Sequence, residues 1–286
     1  MTALPSGLAE IADRYDVLLS DVWGVIHNGV ESFPGACAAL ARFKAEKGPV
    51  VLISNAARPA WEVAPQLDSL GVPREAWSGF VTSGDATRAL LAELAPGPVW
   101  TIGPERVGGL YADLGLEFSD ADGAAFISVT GPYNEEVETP EDYRERFVGP
   151  AARGLPMICA NPDRVVQRGD RLIYCGGALA DVYKDLGGQV RMAGKPYPPI
   201  YDRSLAEAER LLGRPVDPRR VLCIGDGVHT DVQGAEDRGL DCLFIAKGIH
   251  GEAALGPDGR LSEAGVDALL AAEGVKAAYA MADLVW

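Results

Sequence analysis

Short apolar segments alternate with longer amphipathic segments along most of this chain. Val17–Leu19 and Val50–Ile53 are apolar runs that end in polar residues, and Pro34–Lys47 between them carries apolar residues at helical spacing. Strands that are apolar on both faces and alternate with helices are typical of a parallel sheet covered by helices on both sides. The pattern therefore predicts an α/β protein.

The same alternation continues through the rest of the chain. It predicts further strands at 80–82, 99–102, 124–129, 157–160, 221–224 and 242–246. It predicts further helices at 59–70, 85–94, 107–114, 140–153, 199–212 and 231–238. The Ala-rich segment 268–282 predicts a C-terminal helix interrupted at Gly274. The turn-forming run Ala95-Pro96-Gly97-Pro98 separates the first strands and helices from a second series, which closes at Gly187-Gly188.

Composition narrows the range of partners. The chain has 286 residues, of which 48% are hydrophobic and 23% charged, and it carries 26 Lys and Arg against 41 Asp and Glu, a net charge of −15. A nucleic-acid binder or an anionic-membrane binder needs a basic patch, so both classes are disfavoured. An anionic small substrate remains possible, because it needs only a local positive site.

The cysteines and the N-terminus indicate a compartment. The five cysteines lack CxxC pairs and are Cys37, Cys159, Cys175, Cys223 and Cys242. An odd number without pairing favours reduced, buried thiols in a cytosolic protein. Residues 1–16 lack a basic segment followed by an apolar one, so they do not predict a signal peptide. No apolar run approaches the ~18 residues of a membrane span, and we expect a soluble, cytoplasmic protein.

Polar residues follow three of the predicted strands. They are Asp21, Ser54-Asn55 and Asp226. The carboxyl edge of an open α/β sheet is where ligands bind. A single Asp or Ser after a strand often caps the next helix instead. Three such positions together indicate a ligand site.

Four segments in order carry a resemblance to a known family. They are Asp21-Val-Trp-Gly-Val25, Ile53-Ser-Asn55, Gly194-Lys-Pro196 and Ile224-Gly-Asp-Gly-Val-His-Thr-Asp231. They resemble the ordered motifs of the haloacid dehalogenase superfamily, in particular its class IIA branch of 4-nitrophenylphosphatase, nucleotide phosphatase and pyridoxal phosphatase proteins. Two further segments, 160–163 and 175–179, are similar to parts of the cap domain of that branch.

The resemblance implies a domain organisation. It places a Rossmann-like, mostly parallel core at 1–97 and 191–286, and an inserted α/β cap domain at 98–190. About 140 residues separate Asn55 from Lys195, which leaves room for that cap. It also implies that the loop 161–166 of the cap influences substrate choice. Self-association of the branch through the cap makes a homodimer possible.

The resemblance further implies Mg²⁺-dependent phosphate ester hydrolysis. Asp21 matches the nucleophile, which would form an aspartyl-phosphate and so divide one hard hydrolysis into two easier steps. Asp21, Asp226 and the backbone carbonyl of Trp23 match metal ligands, and Asp231 matches a supporting acid that acts through water. Mg²⁺ prefers such oxygen ligands.

A set of phosphate- and substrate-binding residues is implied as well. It comprises Gly24, Ser54, Asn55, Ala56, Arg58, Asn161, Arg164 and Lys195. Ser54 and Lys195 are also matched to catalytic residues, with Lys195 pairing with the nucleophile. Taken alone, Gly-Lys-Pro around Lys195 fits a turn with a solvated lysine. Arg58 fits either a substrate contact or a surface ion pair, and Arg164 could meet an anionic group.

One position departs from the family pattern. Phosphatases of the family usually place a second Asp two residues after the nucleophile, where it protonates the leaving group, but here the residue is Trp23. Indole has no proton to exchange near neutral pH. Three hypotheses follow: a phosphatase of small phosphorylated metabolites that is slow or uses another acid; a non-catalytic phosphoryl-ligand binder; and a haloacid dehalogenase-like hydrolase, which would not need Asp226 and Asp231.

Overall fold

The computed structural model describes residues 2–168, 171–248, 254–255 and 260–286. Its strands are β1 (Val17–Asp21), β2 (Val50–Ser54), β3 (Gly79–Thr82), β4 (Val99–Ile102), β5 (Phe126–Val129), β6 (Pro156–Cys159), β7 (Val165–Arg168), β8 (Arg171–Tyr174), β9 (Gln189–Met192), β10 (Val221–Gly225), β11 (Asp241–Ile245) and β12 (Tyr279–Met281). Together with the helices below, these strands confirm the predicted α/β class with mostly parallel sheets.

The helices connect these strands. They are α1 (Pro34–Glu46), α2 (Ala60–Ser69), α3 (Ser83–Leu94), α4 (Arg144–Ala152), α5 (Gly176–Asp185), α6 (Pro198–Leu212), α7 (Gln233–Asp237) and α8 (Glu263–Ala272). Three predicted helices form differently. Glu105–Tyr111 is a 3₁₀ helix, a 3₁₀ helix at Pro140–Tyr143 precedes α4, and a π-helical turn at Val228–Val232 precedes α7. Among the described residues, no helix is both long and apolar enough to cross a membrane.

The larger sheet has six strands in the order β12-β11-β10-β1-β2-β3. β1 lies near its centre and pairs in parallel with β10 and β2, so that Leu18 is opposite both Leu222 and Val50. All five residues of β1 are buried, as expected for a strand covered on both faces. Because these three strands run in parallel, their carboxyl ends meet at one edge of the sheet.

The chain divides into two compact units. The first comprises 1–54, 64–81 and 201–286, and the second comprises 55–63 and 82–200. The second unit includes residues 82–97, which the predicted division assigns to the core. The division at 97/98 and 190/191 stays a prediction.

Each unit has its own hydrophobic core. In the first unit, side chains of the larger sheet pack with those of α1, and Leu18, Leu52, Leu222 and Phe43 are fully buried. In the second unit, a parallel sheet in the order β4-β5-β6-β9 packs against α4 and α5. Burial of such apolar surface supplies the main driving force for folding each unit.

Local sequence explains where α3 begins. Thr82 and Asp85 form a capping box, in which the Thr82 side chain accepts from the Asp85 amide at 3.0 Å and Asp85 accepts from the Thr82 amide at 2.9 Å. This arrangement satisfies backbone donors that the first helical turn leaves open. Asp85 also accepts from the Ala60 amide at the start of α2, at 3.2 Å. One buried carboxylate therefore orders two helix starts in the second unit.

The predicted C-terminal helix 268–282 is wrong in its second half. α8 ends at Ala272, and Gly274 follows with a left-handed φ of +71°, which glycine adopts at little cost. Tyr279–Met281 then forms β12, parallel to β11. The alanines favour a helix locally, but pairing with β11 and burial of Tyr279 and Met281 decide the outcome.

Strands β7, β8 and β9 were not predicted. β7 and β8 form an antiparallel pair in which Val165 faces Tyr174 and Val166 faces Ile173. β9 joins the smaller sheet beside β6, although two of its four residues are exposed. These strands mix polar and apolar residues, so the apolar-run criterion does not detect them. All five cysteines are buried, as the sequence predicted.

One ion-pair cluster makes the stability of the first unit pH-dependent. Arg220 and then Arg214 donate to Asp16 and lower its pKa from 3.8 to about 2. A lowered folded-state pKa contributes stability that is present above the unfolded pKa and is lost as pH falls toward about 2. We expect Asp16→Asn to cost about 1–2 kcal/mol at pH 7 and less at pH 3, measured by urea unfolding.

The exposed Asp13 provides a matched control for this prediction. Its side chain is 86% exposed and pairs with Lys47, so Asp13→Asn should change the free energy of unfolding less than Asp16→Asn at pH 7. An Asp16→Asn effect of equal size at pH 7 and pH 3 would contradict the expected role of the ion pair.

Candidate active site

Three aspartates meet at the carboxyl edge of the larger sheet. Asp21 is the last residue of β1, Asp226 directly follows β10, and Asp231 lies in the π turn Val228–Val232. One carboxylate oxygen from each lies within 4.8 Å of the others, and all three residues are buried. Strands β1 and β10 are parallel neighbours, so the meeting of Asp21 and Asp226 follows from the sheet topology.

The donor set fits a divalent cation. Three carboxylates at this separation repel one another, and burial adds a desolvation cost for each negative charge. A hard cation such as Mg²⁺ or Ca²⁺ takes oxygen ligands, mainly carboxylates, and offsets both costs. Among the described residues, this is the cluster of His, Cys, Asp and Glu that could hold a metal ion.

Glycines give the carboxylates the space that they occupy. A Cβ on Gly24 or on Gly248 would collide with the Asp226 carboxylate, and a Cβ on Gly225 would collide with Asp231. Gly24 also has a φ of +80°, which disfavours any other residue there. The sequence analysis identified Gly24 but missed Gly248, which is 22 positions beyond Asp226 in the chain and meets it only through folding.

A π turn and a buried tyrosine hold Asp231. The Gly227 amide donates to the Asp231 carboxylate at 3.0 Å. The Tyr201 hydroxyl donates to the backbone carbonyl of Thr230 at 3.2 Å. Burial, with added repulsion from nearby groups that include Asp231, holds the pKa of Tyr201 well above its usual range, so its hydroxyl stays a donor. Gly234 packs on the Tyr201 ring with no room for a Cβ.

The second unit presents a buried lysine whose backbone is held by an asparagine. The Asn55 side chain accepts from the Lys195 amide at 2.7 Å and donates to the Lys195 carbonyl at 3.2 Å. It also donates to Asp163 at 3.0 Å. Lys195 is 3% exposed, so it is not a solvated turn lysine. Asn55 was predicted to bind phosphate, and its contact with the Lys195 backbone was not predicted.

The other residues predicted to bind substrate differ in burial and in hydrogen-bond partners. Ser54 ends β2 and is partly buried, and the Ala56 carbonyl accepts from the Gly84 amide at 3.0 Å. Arg58 is partly buried. The Asn161 side chain accepts from the Asp163 amide at 3.0 Å. Their roles toward a substrate stay predictions.

Arg164, predicted as a possible anion contact, forms an ion pair. It donates to Asp181 at 2.7 Å, and its side chain is 76% exposed. The carboxylate raises the pKa of this arginine, so it stays charged. An anionic substrate group would therefore compete with Asp181 for Arg164.

The fold and the three aspartates define an α/β protein with an acidic cluster that could hold a divalent cation at the edge of a mostly parallel sheet. Residues 18–117 match the family described as haloacid dehalogenase-like hydrolase, and residues 192–272 match a second family described as HAD-hydrolase-like. The chain belongs to the haloacid dehalogenase superfamily, in its class IIA branch, as the sequence motifs predicted.

Individual proteins show how far this similarity extends. A haloacid dehalogenase-like hydrolase from Brucella suis 1330 is 46% identical, with a TM-score of 0.84, and the match covers 99% of this chain and 100% of that one. D-glycerol 3-phosphate phosphatase of Mycobacterium tuberculosis is 27% identical over 85% of this chain and 66% of its own length. This chain thus spans slightly less than two thirds of that relative.

A solved complex adds information on the metal. The structure of glycerol phosphate phosphatase from Mycobacterium tuberculosis in complex with magnesium has a TM-score of 0.65 and 27% identity, and the match covers 88% of this chain and 74% of that one. A divalent metal is therefore bound by a protein with this fold and detectable sequence similarity.

The contact between Tyr201 and the π turn leads to a prediction about metal affinity. Tyr201→Phe keeps the ring but removes the donor to Thr230, which loosens the turn that carries Asp231. We expect the dissociation constant for Mg²⁺, measured by calorimetric titration, to rise about tenfold.

Tyr15→Phe is the matched control for this measurement. Tyr15 is equally buried in the same unit, and its hydroxyl donates to Asp241 at 2.6 Å. Tyr201→Phe should lose about 1 kcal/mol of stability from one hydrogen bond. Tyr15→Phe should lose at least as much, because its hydroxyl also bonds to the Tyr279 hydroxyl at 3.2 Å, but only Tyr201→Phe should weaken Mg²⁺ binding. Equal Mg²⁺ affinity in the two variants would refute a positioning role for Tyr201.

Proposed function

We propose that this protein is a Mg²⁺-dependent phosphatase of small phosphate monoesters that works through a phosphoryl group on Asp21. The observation that carries the proposal is the meeting of three buried carboxylates, Asp21, Asp226 and Asp231, at the sheet edge. The enzyme class is supported by relatives named as phosphatases, including the mycobacterial D-glycerol 3-phosphate phosphatase.

The first step is attack by an Asp21 carboxylate oxygen on phosphorus. A bond forms between that oxygen and phosphorus, and the bond between phosphorus and the ester oxygen breaks. The ester oxygen leaves with the electron pair as an alkoxide or phenolate and takes a proton from water. A second water then attacks phosphorus, the bond between phosphorus and the Asp21 oxygen breaks, and inorganic phosphate and the Asp21 carboxylate are released. Dividing the hydrolysis in this way lowers the barrier of each step.

Charge neutralisation is the main requirement of this chemistry, because an anionic nucleophile approaches an anionic ester. Bound Mg²⁺ would supply positive charge at the phosphoryl oxygens. Asp21, Asp226 and the Trp23 carbonyl would hold it, with Asp231 supporting through water. The short carboxylate separation and the solved magnesium complex of a similar protein support this assignment.

Lys195 would supply a second positive charge. Its burial and the double contact of Asn55 with its backbone support a role in which its position matters, because a surface lysine needs no such restraint. We further propose that Ser54 and the amides of Asn55 and Ala56 bind the phosphoryl oxygens. The Gly24 amide, which was also expected to do so, donates to the His27 carbonyl at 2.8 Å instead.

Trp23 limits which esters such an enzyme can hydrolyse quickly. General acid catalysis typically contributes 10²–10⁴-fold, and indole cannot provide it. The same observation favours a second candidate function, a phosphoryl-ligand binder with weak turnover. Both share the proposed metal site and differ in whether phosphate is released.

Removal of the nucleophile tests the proposed reaction. Asp21→Asn should reduce phosphate release from 4-nitrophenyl phosphate to the background rate, because the amide is a poor nucleophile. Chelation of the metal should do the same, and added Mg²⁺ should restore the activity of the wild type only. Asp13→Asn, at an exposed aspartate, should stay fully active. Unchanged turnover by Asp21→Asn would exclude the aspartyl-phosphate.

Restoring a carboxylic acid at position 23 tests whether the leaving group limits the rate. Trp23→Asp should increase kcat for an alkyl phosphate at least about tenfold, since a proton donor is then available. Trp23→Asn has nearly the same size but no exchangeable acid proton, so it should show no such gain. An equal gain in both variants would show that steric relief, not acid catalysis, is responsible.

A further inference from the structure

Trp23 is held in a defined orientation although half of it faces solvent. Its side chain is 51% exposed. The His27 ring packs edge-on against it, with ring centroids 5.4 Å apart and an interplanar angle of 79°. On another side Gly29, with a φ of +86°, lies so close to the six-membered ring that a Cβ would collide with it. The indole is therefore packed on one part of its surface and open on the rest.

Backbone contacts order the loop that presents this indole. The Gly24 amide donates to the His27 carbonyl at 2.8 Å, and the Gly29 amide donates to His27 Nδ1 at 3.0 Å. The Asn28 side chain accepts from the amides of Val30 and Glu31, each at 2.9 Å. An aromatic side chain that is already fixed loses little conformational entropy when a ligand stacks on it.

The position of Trp23 places it beside the reacting groups. It is two residues after Asp21, a span of at most about 7 Å between Cα atoms. The next residue, Gly24, lies directly against the Asp226 carboxylate. Trp23 therefore belongs to the same short loop as Asp21, at a backbone distance that an indole side chain can span.

We propose that the exposed indole of Trp23 is a specificity-determining subsite that stacks on an aromatic group attached to the phosphoryl group. This inference rests on the proposed phosphoryl site and names the class of substrate as an aryl phosphate monoester. Aromatic rings stack on an indole face in offset geometry, and this stacking strengthens binding beyond the effect of area burial.

The chemistry of the leaving group favours an aryl phosphate over an alkylammonium phosphate as the substrate. An indole face also attracts alkylammonium groups, but an alkylammonium ester releases an alkoxide, which needs a proton donor. A phenolate ion is stabilised by its ring and leaves without prior protonation. Trp23 would therefore stack on the aromatic ring from the position where related phosphatases carry a general acid. Hydrolysis of an aryl ester does not depend on that acid.

Binding of two phosphonates tests the subsite independently of turnover. Phenylphosphonate and cyclohexylphosphonate carry the same charged group and rings of similar size, and neither can be hydrolysed at its phosphorus–carbon bond under these conditions. In the presence of Mg²⁺, calorimetry should show phenylphosphonate binding about three- to tenfold more tightly to the wild type. Trp23→Leu should bind the two equally, and Trp23→Phe should keep most of the preference.

Trp61→Leu is the matched control. Trp61 is 57% exposed, and its ring lies under the Arg88 guanidinium in the second unit, so its loss should leave the preference for phenylphosphonate intact. A wild type that binds both phosphonates equally, or a preference that survives Trp23→Leu, overturns the subsite. Preferential binding without phosphate release from any aryl phosphate would instead refute the phosphatase proposal and leave the subsite standing.

Discussion

Mutual repulsion among three buried aspartates is the constraint around which the first unit is organised. Their oxygens lie within 4.8 Å of one another, an arrangement that burial makes more costly. The sheet supplies part of the solution, because parallel β1 and β10 bring two of the residues to one edge. Glycines supply the rest, since side chains at Gly24, Gly225 or Gly248 would displace the carboxylates. A bound divalent cation would convert this repulsion into affinity.

The same constraint shows how an acidic protein could bind the anionic substrate that we propose for it. The net charge is −15, yet part of that negative charge is buried where a cation can neutralise it. Lys195 is buried as well, with its backbone held by Asn55. Local arrangement therefore matters more than overall charge for a small ligand, whereas an extended polyanion would meet the acidic surface.

In the proposed function, the nucleophile Asp21 and the substrate-selecting Trp23 are different residues of the same loop. In that proposal, the aspartates would provide a nucleophile and metal ligands, which many phosphate esters could use. Trp23 adds a selective element, because it replaces a proton donor with a half-exposed aromatic surface. His27 and Gly29 hold that surface in place, so the loop from Asp21 onward would combine the proposed nucleophile with a feature that discriminates among leaving groups.

The sequence by itself determined those strands and helices whose own residues indicate burial and secondary structure. The apolar runs of β1, β2 and β10 predicted buried parallel strands. The motifs at the ends of β1 and β10 predicted that Asp21 and Asp226 lie at the carboxyl edge of the sheet. Tertiary structure decided the contacts between residues far apart in the chain, such as Asn55 with Lys195, 140 positions away. It also decided that Tyr279–Met281, in the Ala-rich C-terminal segment, form β12, which pairs with β11. Local patterns encode burial and periodicity, whereas pairing and close approach depend on which distant surfaces the topology brings together.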